Sequence, residues 1–289
     1  MRKILLTAGV ALFITSCKEH PSLGVILNDN TANVGDTTYT TTTEAVTPKK
    51  VLVEEFTGAS CPNCPDARTA LATIATANPN RLIILEVHNN KTPQGMKIEG
   101  VSKYDFTNAQ ASEIADLFYP GLGSIPQGGV DRIVNGSTRL LPKSGWASAI
   151  STRLGLTSSA NIKLTNTYDD AKREGTVKVH IGYTSDVAKK QNVTVALIED
   201  DIIDAQEYPD SINHNYTFHH VFRKIFTATS GSPVLDSIAT KKAGRVYESG
   251  FKYSIDAAWV PANCRLVVFL QNNDGDNKEI LQAEEINVK

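Results

Sequence analysis

The sequence predicts an α/β domain over residues 49–155 followed by an all-β sandwich domain over residues 156–289. Three patterns carry this reading. A β-branched run leads directly into a helical period. A second apolar run follows that helix, so the two strands are joined by a parallel crossover, expected to be right-handed. After about Leu156 helical periodicity stops, and seven strand-like runs recur between polar turns, as in a sandwich.

Val51 to Phe56 is apolar and β-branched and reads as the first strand. Thr57 to Ser60 is a turn. From Cys61 to about Ala77 the residues Ala67, Ala70, Leu71 and Ile74 recur at helical spacing, and Asn78-Pro79-Asn80 stops the helix. Leu82 to His88 is a nearly continuous apolar run, expected to be buried on both faces. Residues 92–119 read as an inserted segment whose clearest helical piece is Ser112 to Phe118. A third strand opens at Ile125-Pro126 and runs to Val134. Asn135-Gly136 suits a two-residue hairpin, with Arg139 to Leu141 as the return strand and a helix from Trp146 to Leu154. The seven later strands are expected at 161–168, 175–183, 192–199, 216–226, 245–256, 264–271 and 279–288.

The N-terminus has a different character. Arg2 and Lys3 precede an apolar run from Ile4 to Ile14, the length of a signal-peptide core. The run ends in Ile14-Thr15-Ser16-Cys17, which resembles the bacterial lipobox. That resemblance implies a signal peptide over residues 1–16, cleavage before Cys17 and lipid on its thiol. Residues 17–48 then form a tether, or contain a lone threonine-rich strand. The whole chain of 289 residues has 41% hydrophobic and 21% charged residues and a net charge of −2, so no basic field invites nucleic acid. Export places Cys61, Cys64 and Cys264 in an oxidising compartment where disulfides persist.

Cys61-Pro62-Asn63-Cys64 carries the chemistry. A helix N-terminus offers unsatisfied N–H groups and partial positive charge, both of which stabilise a thiolate. Cys61 is expected to be the exposed attacking thiol and Cys64 the resolving one. The pair has two other readings, an inert structural disulfide and half of a zinc site, but no second Cys-x-x-Cys exists. His214, His219 and His220 read as strand histidines, and Asn272 to Asn277 as a hairpin turn rather than a calcium loop. Cys264 reads as a buried free thiol.

Strand, helix, strand, hairpin and helix is the thioredoxin order, and two further residues fit it. Glu55 resembles the buried acid of thioredoxins, which moves protons for the resolving thiol. The alternative is that one of Glu54 and Glu55 faces solvent. Ile125-Pro126 sits where thioredoxin-like chains place a cis-proline for substrate docking. The fold class expected is therefore an α/β thioredoxin-like domain followed by the all-β sandwich.

Glu54-Glu55-Phe56-Thr57-Gly58 with Cys61-Pro62-Asn63-Cys64-Pro65 resembles the 28 kDa outer membrane lipoprotein family of Gram-negative bacteria. So do Val195 to Asp200 and His220-Val221-Phe222-Arg223. The resemblance spans roughly residues 50–289 and implies a thioredoxin-like domain joined to a β-rich one. The function expected is a membrane-tethered thiol-disulfide oxidoreductase using Cys61, Cys64 and Glu55. The alternative is a non-enzymatic surface binding protein or adhesin with a structural disulfide. Expected partners are exported proteins with thiols or disulfides, and the membrane through lipid on Cys17. No cofactor or metal is expected, and the location is the cell envelope, at the outer membrane.

Overall fold

The computed structural model describes residues 33–289. Cys17 and the expected signal peptide, residues 1–16, lie outside them. In chain order the elements are β1 (Asn33–Thr40), β2 (Val51–Thr57), α1 (Cys64–Ala77), β3 (Leu82–His88), α2 (Ala109–Phe118), β4 (Gln127–Val130), β5 (Leu141–Pro142) and α3 (Lys143–Leu154). There follow β6 (Ala160–Asp169), β7 (Glu174–Tyr183), β8 (Gln191–Glu199), β9 (Ile202–Tyr208), β10 (Ser211–Phe218), β11 (Val221–Ile225), β12 (Ser232–Pro233), β13 (Arg245–Ser254), β14 (Cys264–Asn272) and β15 (Ile280–Asn287).

One mixed sheet runs through both halves of the chain, in the order β15-β14-β8-β11-β3-β2-β4-β5, with β12 beside β8. Its join is β11, which is antiparallel to β8 and meets β3 in parallel at Val221–Glu86. A four-stranded sheet, β1-β13-β7-β6, packs on one end. This overturns the expected fold class. Described residues 33–289 are predominantly β with three α-helices, and no separate thioredoxin-like α/β domain precedes a separate sandwich. The physical reason is edge pairing. The sequence shows which runs are strands, but nothing in it records that β11 donates its free edge to β3 rather than to another late strand.

Three apolar layers seal the large sheet. On one face α2 (Ala111, Ile114, Phe118) covers Leu52, Phe56, Leu85, Ile198 and Phe269 together. On the other face α1 and α3 cover Val51, Val53 and Ile84 through Ala67, Leu71, Trp146 and Ile150. Further along that face β8 and β14 pack on the four-stranded sheet through Val195, Leu197, Leu266, Val268, Val179 and Phe251. Buried ions also cross the halves. Arg132 pairs with Glu54 on β2 and donates to Gln271 on β14. Asp131 holds Lys49 at 2.9 Å and Arg153 at 2.7 Å, and its backbone carbonyl accepts the Ile280 N–H.

Several local expectations shift. Residues 33–40, within the stretch expected as a tether, form an edge strand paired with β13, and the threonines at 41–43 lie beyond it. The 216–226 run is two elements, broken at His219-His220, where His220 takes φ +54°. β9 was not anticipated. The third strand stops at Val130 because Asp131 and Arg132 turn left-handed, and the return strand is only Leu141–Pro142.

Candidate functional site

β2 ends at Thr57 and the chain turns through Gly58-Ala59-Ser60 into Cys61. Gly58 is required by close approach: a Cβ there would meet the Gln94 carbonyl oxygen at 1.9 Å and the Gly95 Cα at 2.5 Å. The 93–97 segment is thereby laid on the turn, and Ser60 N–H donates to the Met96 carbonyl at 3.1 Å. Asn63 caps α1, and Pro65 occupies its first turn, where no backbone bond is lost. Cys61 and Cys64 form a disulfide with S–S 2.05 Å. Both residues are buried, Cys61 at 1% exposure, so the attacking position expected to be open is covered.

β9, part of a small two-stranded sheet with β10, is bonded to the backbone of this turn. Glu207 N–H donates to the Ala59 carbonyl at 2.8 Å. The Gln206 carboxamide donates to the carbonyls of Cys61 and Ala59 at 3.0 and 3.1 Å. Its oxygen accepts from Arg68 at 2.7 Å. Sequence reasoning missed Gln206, and no local pattern marks it. Arg68 was readable in principle, as a cation four residues after Cys64 on the apolar face of α1. Its guanidinium donates to Thr57 Oγ1 at 2.9 Å, pairs with Glu86 at 3.0 Å, and lies against the rings of Tyr216 and Phe218.

Glu54 and Glu55 point to opposite faces, as neighbours on a strand must, yet neither meets solvent. Glu54 is bound by Arg132 and by the Tyr119 hydroxyl. Glu55 lies on the α1 side of β2, between Val53, which packs on α1, and Thr57, which Arg68 holds. Both of its carboxylate oxygens are buried without a hydrogen-bond partner. Its register partner on β3 is Glu86. Burial pushes Glu55 well above the usual carboxylate range, and the Glu86 charge adds to this while Arg68 opposes it. Burial likewise pushes Glu86 up to about 7 against the pull of Arg68. A cavity of about 160 Å³ lies beside the two acids, lined also by Arg68, Tyr216, His219 and His220. Two adjacent buried carboxyls cannot both ionise cheaply, so the pair retains a proton near neutrality.

The Ile125-Pro126 peptide is cis. Gln127 pairs with Phe56, which places Pro126 one step further on, beside the end of β2 that enters the Cys61 turn. Ile125 and Pro126 are half-buried. His88, the histidine nearest the motif in sequence, is buried edge-on to Phe106 and is held well below its usual range by burial. Cys264 is a buried free thiol on β14, pushed up to about 12 by burial. Among the described residues no three His, Cys, Asp or Glu side chains converge as a metal-binding set. No helix of the described residues is long and apolar enough to cross a membrane.

Solved structures resemble this fold at low sequence identity. HBP35 of Porphyromonas gingivalis aligns with TM-score 0.65 at 15% identity, over 84% of this chain and 76% of its own. The protein AGR_C_4864 of Agrobacterium tumefaciens gives TM-score 0.48 at 16% identity, over 85% of this chain and 97% of its own. No curated protein matches the sequence. The family model for the outer membrane protein Omp28 matches residues 117–289, from the end of α2 to the C-terminus, and leaves the Cys61–Cys64 turn outside the match. The chain belongs to the Omp28 family of outer membrane proteins.

Proposed function

We propose that this protein exchanges disulfides with exported proteins while tethered to the outer membrane by lipid on Cys17. The observation that supports it best is the Cys61–Cys64 disulfide at the start of α1, with a partnerless carboxyl, Glu55, on the strand that α1 covers. In the disulfide form the protein accepts two electrons. A partner thiolate attacks the Cys61 sulfur, and the Cys61–Cys64 bond breaks. Cys64 leaves as a thiolate and takes the proton held on Glu55. A second partner thiol then attacks the same partner sulfur, freeing Cys61 as a thiol, and the partner leaves with its own disulfide. The reverse sequence reduces a partner. The helix N-terminus favours the thiolate of Cys61 in either direction. The loop at Ile125-Pro126, beside the end of β2 that enters the Cys61 turn, borders the place where the partner segment docks.

A second reading is supported by burial. With Cys61 at 1% exposure, the disulfide can serve as a staple in a surface binding protein. Equilibration of the protein with glutathione redox buffers separates the two. Exchange predicts a potential within reach of envelope oxidoreductases, above about −300 mV. A lower potential, with no transfer to a reduced peptide, contradicts exchange and leaves the staple.

A further inference from the structure

The segment against the Cys61 turn is held unlike the rest of the sheet framework. β9 and β10 pair with each other and with no strand of either main sheet. Two-stranded ribbons are marginal by themselves. Its base is anchored in apolar core, where Ile202 and Phe218 pack with Ala59, Phe106 and Val221, and Tyr216 and the buried Ala205 are the last apolar residues held along it. Asp204 then accepts the backbone N–H groups of Lys103 and Tyr104, both at 2.9 Å. Beyond Asp204, residues 211–215 are exposed. In that outer part β9 meets the turn by one backbone bond, Glu207 N–H to Ala59 carbonyl, and by Gln206, which is completely buried with its amide on the Cys61 carbonyl.

An extended strand bonded to the backbone of the Cys-x-x-Cys turn, with one side chain aimed at Cys61, has the geometry of a docked polypeptide. We propose that β9 is an internal stand-in for the partner. The disulfide is reached only when an extended protein segment carrying a thiol displaces the outer part of the β9–β10 hairpin. The partner then takes the Ala59 and Cys61 carbonyls, with its cysteine in the place of Gln206. This rests on the exchange reading, and it narrows the substrate to unfolded or flexible cysteine-bearing polypeptide. Attack by that thiolate on Cys61 releases Cys64, with electrons balanced as above. Gln206 is a positioning residue: it locks Arg68 and the Cys61 carbonyl together, and its departure unlocks both.

The test uses the full oxidised chain. Reduction by dithiothreitol, and by a reduced extended peptide bearing two cysteines, is timed for wild type and Gln206→Ala. The variant is expected to be reduced at least tenfold faster by both. An unchanged rate with dithiothreitol overturns the cover. Because Gln206→Ala also deprives Arg68 of a partner, amide hydrogen exchange on unaltered protein supplies an independent reading. Glu207 is expected to exchange at least tenfold faster than Val195 to Ile198 in β8, through a separate opening. Equal protection of the two strands overturns the proposal. Faster reduction by dithiothreitol with no transfer to the peptide upholds the cover and overturns the exchange reading and the polypeptide substrate.

Discussion

At the scale of single residues, the acids of β2 show how position decides chemistry. Glu54 and Glu55 are adjacent, but one meets Arg132 and the other meets a cavity and a second acid. Glu55 therefore lowers the stability of the fold at neutral pH. In the unfolded chain both Glu55 and Glu86 lose their protons near 4.5, whereas in the folded chain Glu86 holds on to about 7 and Glu55 is shifted the same way. Between those values the unfolded state binds fewer protons. The stability these groups contribute is complete below about pH 4.5 and is lost as pH rises towards 7 and beyond. Glu55→Gln keeps the shape and removes the charge. Chemical denaturation should find the variant more stable at pH 8, by on the order of 1–3 kcal/mol. Its stability should also vary less between pH 5 and 8 than that of wild type. A variant that is less stable at pH 8 with an unchanged slope would contradict this account.

At the scale of elements, the turn at residues 58–61 is built by its neighbours. The 93–97 segment lies on Gly58 and β9 lies on Ala59. Gly58→Ala places a methyl inside the Gln94 carbonyl and should cost about 2 kcal/mol or more, read as a lower denaturation midpoint with unchanged m-value. A neutral effect would mean the 93–97 segment is free to move. Much of this neighbourhood was legible beforehand. The strand, the helix and the cysteine pair follow from local periodicity and spacing, which a sequence records, whereas the place of Ile125-Pro126 comes from its resemblance to thioredoxin-like chains. Gln206 and the hairpin were not legible, because their role comes from a contact across 145 residues of chain that no local pattern encodes. The early end of β4 was hidden for a different reason. Asp131 and Arg132 adopt left-handed backbone because their side chains are fixed by buried ion pairs, a tertiary cause acting on a strand-like run.

At the scale of the whole molecule, the continuous sheet is the largest departure from expectation. Strands early and late in the sequence share hydrogen bonds and buried charges, so the described part of the chain should unfold as one unit. Trp146 reports on the α3 layer and Trp259 on the four-stranded layer. Variants retaining one tryptophan each should give coincident urea transitions, and two separated transitions would mean two independent bodies. Tethering is tested by Cys17→Ala in the full-length precursor: the variant should leave the membrane fraction, and unchanged membrane association would contradict lipidation at Cys17. Exchange as proposed requires Cys61 to join a partner and Cys64 to resolve the adduct. The most direct measurement mixes reduced Cys64→Ser protein with a peptide closed by one disulfide and weighs the product. A covalent adduct joined through Cys61 is expected, one that persists in Cys64→Ser and is released in wild type. Absence of that adduct, in protein whose Cys61 is shown to be a free thiol, would contradict exchange.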